Sequence, residues 1–284
     1  MIATGRISEV RKLVDEARAE GKRVGFVPTM GALHEGHRSL VRRASHDTDF
    51  VVVSIFVNPT QFSPDEDLSK YPRTFADDLD ACKAEGAHLV FHPDADEIYP
   101  DAALTHIHIT KITEPMEGIV RPGHFAGVAL VCAKLFNIVG PCNAFFGEKD
   151  AQQLRVVSRM VKDLAMPVEI VPCATVRDAD GLALSSRNRY LSKHDRERSL
   201  ALSRALRTIS QLASDGERDV RTLEAAGRKV LGEAGLDGVD YLEVVDPETL
   251  ERLETVEGTA LVCGAVRVGT TRLIDNITLE MGAR

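Results

Sequence analysis

Short apolar runs alternate with amphipathic helical stretches along most of this chain, and that alternation constrains the fold more than any other feature. Apolar residues three and four apart predict a first helix beginning at Ile7, and a short buried strand follows at residues 24–27. The nearly continuous apolar run at residues 50–56 is typical of a strand inside a parallel sheet. The same reasoning predicts strands at residues 89–91, 144–146 and 168–171, and helices at residues 74–85, 125–139 and 150–164. The sequence therefore predicts a doubly wound α/β domain.

The pattern changes after Val176, where the helices become longer and the strands come together. Residues 192–213 form a charged amphipathic pattern with Ser192 as its N-cap, and a second helix is predicted at residues 223–234. Three strand-like runs then follow at residues 239–245, 260–268 and 272–278. We therefore predict two domains: residues 1–175 with the parallel sheet, and residues 176–284 as a smaller α+β domain that acts as a lid.

Charge and cysteine usage exclude several classes of function. The formal net charge is −8 without a lysine and arginine cluster, which argues against a nucleic-acid partner. The first residues lack the apolar core of a signal peptide, and no apolar run reaches membrane-spanning length. The cysteines are odd in number and lack Cys-x-x-Cys spacing, so we expect reduced thiols in or near the core of a cytoplasmic protein and no structural zinc site. They are Cys82, Cys132, Cys142, Cys173 and Cys263.

A His-x-Gly-His motif follows the strand predicted at residues 24–27. If His34 and His37 begin a helix, their rings share one face with the free N–H groups and the positive end of the helix dipole. Such a site suits a polyphosphate whose charge rises during reaction. A pair of histidines on a surface turn is the alternative, but the succession of strand, turn, Gly36 and helix favours phosphate chemistry.

Two later segments have residues that suit the same chemistry. Lys149 follows a predicted strand and can reach a phosphate, while Asp150 can accept from a ribose hydroxyl or simply cap the next helix. Ser185, Ser186 and Arg187 provide hydroxyls and a guanidinium for wrapping phosphates, although such a loop alone is usually just solvated. Class I aminoacyl-tRNA synthetases and related nucleotidylyltransferases combine an early His-x-Gly-His turn with a late loop of this kind.

Amides and carboxylates mark the remaining candidates. Asn58 and Gln61 come just after the strand at residues 50–56 and can recognise a small polar substrate, or form an ordinary Asn-Pro turn. Gln153 lies one helical turn after Lys149 and is predicted to face the same pocket. Asp77, with its neighbour Asp78, can hold a hydrated Mg²⁺ or favour a helix dipole.

Six motifs together give the chain a family resemblance. The segments are 26–37, 56–62, 71–74, 121–128, 146–154 and 181–191, and their order and spacing resemble those of the pantothenate synthetase (pantoate–β-alanine ligase) family. The resemblance implies a Rossmann-like nucleotidyl-transferase domain with a parallel sheet, a smaller C-terminal domain and a homodimer. It also implies the reaction: pantoate is adenylated by ATP with Mg²⁺, and β-alanine then displaces AMP to give pantothenate for coenzyme A biosynthesis.

The resemblance implies a role for each matching position. His37 is the catalytic residue, assisted by His34, Lys149, Ser185, Ser186 and Arg187. Gln61 and Gln153 bind pantoate, and an apolar wall contacts its methyl groups. β-Alanine lies near Gln61, and Asp77 contacts Mg²⁺. The ATP site comprises Met30, Gly31, Ala32, Leu33, His34, Glu35, Gly36, His37, Gly147, Glu148, Lys149, Asp150, Val176, Leu184, Ser185, Ser186 and Arg187. The apolar wall comprises Pro28, Met30, Val131 and Phe146, with Asn58 also at the substrate.

Three other classes of protein share part of the pattern. Another His-x-Gly-His nucleotidylyltransferase would give a stable dinucleotide product, but Gln61 and Gln153 favour a small acid as substrate. A tRNA synthetase is disfavoured by the short chain and acidic charge. A non-catalytic nucleotide sensor would need the phosphate loops but not the two glutamines.

Overall fold

A computed structural model describes residues 1–63, 66–101 and 104–281, and the chain divides into two compact units. The first unit comprises Met1–Thr113, Arg121–Glu148 and Gln153–Ala174. The second unit comprises Glu114–Val120, Lys149–Gln152 and the chain from Thr175 onward. Two short segments from the first part of the sequence thus belong to the second unit.

The first unit contains a six-stranded parallel sheet with the strand order β1-β4-β3-β2-β5-β6. Its strands are β1 (Ile2–Thr4), β2 (Val24–Thr29), β3 (Phe50–Ile55), β4 (Leu89–Phe91), β5 (Cys142–Gly147) and β6 (Val168–Cys173). The helices along this part of the chain are α1 (Ile7–Ala19), α2 (Glu35–Asp47), α3 (Phe75–Ala84), α4 (Ala95–Ile98), α5 (Glu117–Val120, in the second unit), α6 (His124–Val139) and α7 (Ala151–Asp163). The predicted α/β class is confirmed.

Both faces of this sheet are buried, as the continuous apolar strands predict. Phe26 and Val52 pack into one core cluster with residues of α1, α6 and α7, whereas their neighbours Val27 and Val53 pack into another with residues of α2 and α3. Successive side chains of a strand point to opposite faces, so each strand contributes to both clusters. Helices therefore cover the two faces, which is the doubly wound arrangement.

The order of the strands creates a switch point between β2 and β5. The chain leaves β2 through α2 to reach β3 on one side, while β5 pairs with β2 on the other, with Phe26 opposite Ala144. Connections that diverge in this way open a crevice at the carboxyl ends of the two strands, where α/β proteins bind ligands. The His-x-Gly-His motif follows β2, and Gly147 ends β5.

The sequence analysis missed strand β1 and the short helices α4 and α5, and β1 shows why. It has three residues and lies at the edge of the sheet, where Ile2 pairs with Leu89 and remains 45% exposed. A run this short carries no periodic signal, and its pairing with β4 depends on residues far along the chain.

The second unit contains a three-stranded antiparallel sheet of β7 (Val239–Val245), β8 (Thr259–Val268) and β9 (Thr271–Glu280). The long helices α8 (Lys193–Ser214) and α9 (Val220–Glu233) supply apolar residues to the core that this sheet builds. Ser192 caps α8 as predicted, because its hydroxyl accepts from the N–H of Asp195 at 3.1 Å. The α+β assignment is confirmed. Within the described ranges, no helix combines the length and apolar character needed to cross a membrane.

Candidate active site

The turn after β2 has an unusual backbone that is held by a carboxylate. Gly31 and Ala32 both have positive φ, +81° and +50°, and alanine rarely adopts that conformation. Asp78 of α3 accepts from the N–H groups of Ala32 and Leu33 at 3.0 and 2.7 Å and is 2% exposed. A buried carboxylate with two charge-assisted hydrogen bonds offsets the strain of the turn.

His34 and His37 lie at the start of α2, as the sequence analysis predicted, and their rings are tilted against one another. Their ring centroids are 4.1 Å apart. The N–H of Gly36 donates to His34 Nδ1 at 3.1 Å, and the N–H of His34 donates weakly to His37 Nδ1 at 3.4 Å. An Nδ1 atom that accepts leaves the proton of a neutral ring on Nε2. Both rings are therefore arranged as Nε2–H donors at a helix N-terminus, where an anion is favoured.

Gln61 has its amide orientation set by neighbouring side chains. Asn58 Nδ2 donates to Gln61 Oε1 at 3.0 Å, so Gln61 Nε2 remains as the donating end and lies 3.2 Å from Met30 Sδ. Asn58 is itself 1% exposed; it donates to the carbonyl of Gly127 and accepts from Tyr99 and Thr60. Both side-chain polar atoms of Asn58 thus have partners within the protein, and the side chain positions Gln61. A contact of Asn58 with substrate stays a prediction.

The segment with Arg121 and His124, which the sequence analysis left without a role, supports the same glutamine. Arg121 forms a two-pronged ion pair with Glu66 at 2.6 and 2.9 Å and donates to His124 Nε2 at 3.0 Å. His124 Nδ1 must then carry the proton that binds the carbonyl of Gln61 at 2.9 Å. Burial alone would raise the pKa of Glu66, but hydrogen bonds and charge from Arg121 outweigh it and lower that pKa.

The residues predicted to form an apolar wall all belong to the first unit. Val131 and Phe146 are each 6% exposed and lie in the core cluster on one face of the sheet. Pro28 and Met30 are partly exposed, at and just beyond the end of β2. Two of the four residues are thus core residues and two are partly exposed, and their joint contact with the methyl groups of pantoate stays a prediction.

The chain passes from one unit to the other at the end of β5. Gly147 and Glu148 belong to the first unit, and a Cβ atom added to Gly147 would meet no neighbour within 4 Å. Lys149 and Asp150 belong to the second unit, with Lys149 Nζ 3.8 Å from Asp150 Oδ1. Gln153, predicted as a pantoate ligand, lies partly exposed in the first turn of α7.

The loop with two serines and an arginine is built on a short hairpin of the second unit. The N–H of Leu184 donates to the carbonyl of Val176 at 3.0 Å and closes the hairpin. Ser185 then caps a 3-10 turn at Ser186–Tyr190, because its hydroxyl accepts from the N–H of Arg187 at 3.3 Å. The turn has a defined conformation rather than that of an extended loop.

The acidic pair in α3 separates into two different roles. Asp78 is buried against the turn after β2, whereas Asp77 is exposed in the first helical turn. Among the residues that the structure describes, no three histidine, cysteine, aspartate or glutamate side chains form a group that could hold a metal ion. A protein cage for a divalent cation is thus absent from the described residues.

The residues that support the candidate ligands could not be assigned that role from the sequence. Asp78, Tyr99 and His124 act on backbone or amide groups that lie 20 or more positions away in the chain. Only the Arg-Pro-Gly-His segment gave a local signal, since its polar residues precede a strongly apolar helix. No local pattern could indicate which distant group each of these side chains would meet.

Comparisons with known proteins extend over almost the whole chain. A family model described as Pantoate-beta-alanine ligase matches residues 3–278. A pantothenate synthetase of Caldicellulosiruptor saccharolyticus is 50% identical over 281 residues, which are 99% of this chain and 100% of that protein.

Two crystal structures resemble this chain both in fold and in sequence. Pantothenate synthetase from Thermus thermophilus superposes with a TM-score of 0.93 at 45% identity, covering 98% of this chain and 99% of that one. Pantoate-beta-alanine ligase from Francisella tularensis, complexed with beta-gamma ATP and beta-alanine, gives a TM-score of 0.81 at 34% identity, covering 98% and 97%. The chain belongs to the pantoate–β-alanine ligase family and is an enzyme that condenses pantoate with β-alanine at the expense of ATP.

Proposed function

We propose that the condensation proceeds through pantoyl adenylate and that His34 and His37 stabilise charge during its formation. A pantoate carboxylate oxygen attacks the α-phosphorus of ATP, and the bond to the bridging oxygen breaks to release pyrophosphate. The amine of β-alanine then attacks the acyl carbon, loses a proton and displaces AMP. Neither step needs a protein nucleophile, so the protein contributes alignment and charge.

The observation that carries this proposal is the pair of histidine rings at the start of α2. Each Nδ1 accepts from a backbone N–H of the helix start, which directs the proton of the neutral ring to Nε2. Fixed donors of this kind stabilise developing negative charge without having to reorganise during the reaction. Residues 30–37 would then contact ATP. Among them, His37 would have the main part in stabilising charge at the α-phosphorus.

The remaining contacts follow the chemistry of each group. Lys149, Ser185, Ser186 and Arg187 would bind the triphosphate, Gly147 and Asp150 the ribose, and Val176 the adenine. Gln61 Nε2 would donate to pantoate or β-alanine, since Asn58 occupies its Oε1. Gln153 would bind pantoate, while Pro28, Met30, Val131 and Phe146 would contact its methyl groups. Glu148 and Leu184 would line the nucleotide site.

Magnesium would enter with ATP rather than occupy a cage of its own. Mg²⁺ keeps several waters and commonly takes one or two carboxylates together with substrate phosphates. The single exposed carboxylate of Asp77 fits that mode, whereas the described residues offer no group of three ligands. Bound there, the ion would neutralise phosphate charge.

Two further proposals concern the whole protein. We propose that it is a cytoplasmic homodimer, which the family resemblance favours. Sedimentation equilibrium would give the mass of the assembly, and fractionation of the source cells would locate it. A monomer across the micromolar range would contradict the dimer.

The proposed chemistry is tested by omitting one substrate at a time. Purified protein with ATP, pantoate and β-alanine should produce AMP, pyrophosphate and pantothenate in equal amounts. With stoichiometric enzyme and without β-alanine, acid quench should trap one pantoyl adenylate per active site. Pantoyl phosphate and ADP in place of the adenylate would contradict the proposed intermediate.

Two substitutions separate the proposed catalytic role of His37 from its structural role, which is to accept the N–H of His34 at the start of α2. In His37→Asn the amide oxygen can replace Nδ1 as acceptor, but the Nε2 donor is lost; His37→Ala loses both. We expect adenylation to fall about 10²–10³-fold in both variants, the range for one lost transition-state donor. Only His37→Ala should also lower the thermal midpoint.

The matched control is His46→Asn, which changes an 85% exposed side chain in the last turn of the same helix. Adenylation is measured by pyrophosphate release and stability by calorimetry. Wild-type adenylation in His37→Asn would refute the charge-stabilising role.

A further inference from the structure

Strand β9 carries two neighbouring buried polar residues whose partners are segments of the proposed ATP site. Asp275 is 4% exposed and Asn276 is 9% exposed. The guanidinium of Arg177 donates to both oxygens of Asp275, at 2.7 and 2.9 Å. Asn276 Nδ2 donates to the carbonyl of Lys149 at 2.8 Å. One strand thus holds two segments that lie far apart in the chain, at positions 149 and 177.

The contact with Arg177 fixes the base of the hairpin that leads to the serine loop. Arg177 also donates to the carbonyls of Gly181 and Asn276, at 3.2 and 3.3 Å, and it pairs with Ala183 across the hairpin. Its planar fork and the buried carboxylate of Asp275 define one geometry, which a flexible ammonium group would not. Ser185 follows this pairing closely in the chain.

The hydrogen bond from Asn276 goes to the backbone carbonyl of Lys149, so it does not involve the side-chain ammonium group. Lys149 lies in the 3-10 turn Glu148–Asp150, whose short length gives it little rigidity of its own. A buried donor at its carbonyl restrains the peptide from which the side chain extends. Asn276 is in turn held by its own N–H, which donates to Asp275 Oδ1 at 2.9 Å.

We infer that Asp275 and Asn276 are positioning residues that hold Lys149 and the loop at residues 185–187 at one spacing along the triphosphate of ATP. The inference rests on the proposed contacts of Lys149 and Arg187 with phosphate. Because these phosphates leave as pyrophosphate, the pair serves adenylate formation and has no part in the attack by β-alanine.

A double-mutant cycle between Asn276 and Lys149 tests this inference. Asn276→Ala should slow single-turnover adenylation by about tenfold, the size of one well-placed hydrogen bond. It should leave the conversion of preformed pantoyl adenylate and β-alanine unchanged. In a Lys149→Ala background, Asn276→Ala should slow adenylation no further, since its effect passes through that lysine.

Additive slowing in the cycle would overturn the inference, as would equal slowing of both half-reactions. The matched control is Asn143→Ala, which removes another strand asparagine whose amide donates to Glu169 at 3.3 Å. Asn143→Ala should leave both half-reactions at wild-type rates. If Asn276→Ala does not fold, Asn276→Thr takes its place, because threonine keeps strand preference but lacks the reach of the amide.

The same experiment separates this inference from the proposed function. If Lys149→Ala alone leaves adenylation unchanged, the proposed role of Lys149 fails. If Lys149→Ala slows adenylation and Asn276→Ala does not, only the positioning role fails. Arg177→Lys adds an independent arm: it keeps the charge, loses the fork and should slow adenylation while sparing the second half-reaction.

Discussion

At the residue scale, the candidate site depends on polar side chains whose partners are backbone groups. Asp78 accepts from two N–H groups of the turn after β2, and one of them belongs to Ala32 at φ +50°. His124 similarly donates to the carbonyl of Gln61. Such residues need not touch a ligand, yet they determine where the ligand-binding groups lie.

Replacing Asp78 should weaken both the turn and the reaction. Asp78→Asn keeps the volume but turns one acceptor into a donor that faces an N–H group. We expect the free energy of unfolding to fall by about 1–3 kcal/mol, the cost of a buried unsatisfied group. Urea unfolding followed by circular dichroism measures the change, with the exposed Asp80→Asn of the same helix as control. Equal stability of the two variants would contradict the role.

At the element scale, α6 fits against the Gln61 turn through a glycine. A Cβ atom added to Gly127 would lie 2.3 Å from the carbonyl oxygen of Thr60 and 2.7 Å from the nitrogen of Gln61. Real Cβ atoms do not approach backbone this closely, so the helix or the turn would have to shift. The helix thus packs directly against the backbone at Thr60 and Gln61, and Asn58 donates both to Gly127 of the helix and to Gln61.

Gly127→Ala tests this packing against a glycine in open space. Helix propensity favours alanine by about 1 kcal/mol, but the clash should outweigh it and cost about 1–3 kcal/mol of stability. The KM for pantoate should also rise, because Gln61 moves. Gly232→Ala in α9 meets no neighbour within 4 Å and should stabilise instead. A Gly127→Ala protein as stable as wild type would refute the close approach.

At the scale of the whole molecule, each unit has its own core, and the cysteines are distributed between them. Cys82, Cys132, Cys142 and Cys173 lie in the first unit and Cys263 in the second, and all five are free and buried. Burial raises the pKa of Cys132 and Cys263 to about 12 and that of Cys173 to about 11. The expected burial of the five cysteines is confirmed, and their reduced state stays a prediction.

Native protein should therefore resist alkylation. A raised pKa keeps the thiol protonated at about pH 8, and burial blocks the reagent, so labelling should follow unfolding of the surrounding unit. Mass spectrometry after brief iodoacetamide treatment should find none of the cysteines modified, and all five modified in guanidinium. Peptide mapping of partly unfolded samples would separate Cys263 from the others. Rapid labelling of any cysteine in native protein would contradict its burial.

The sequence by itself determined the fold class, the succession of long elements and the family, because periodic burial and six ordered motifs are local signals. It also indicated His34 and His37 at a helix start, where the structure places them. A lid role for residues 176–284 stays a prediction.

Only the tertiary structure decided what Asp78, Asn58 and Arg121 do, because each acts through a partner determined by chain topology. Asn58 and Gln61 both carry amides that can bind a substrate, and nothing local distinguishes them. Both are buried, and their hydrogen bonds distinguish them: Asn58 uses both side-chain polar atoms within the protein, while Gln61 Nε2 donates to the weak acceptor Met30 Sδ. Composition and spacing indicate which polar side chains are available for chemistry. Packing determines which of them form hydrogen bonds within the protein and so hold the ligand-binding side chains in place.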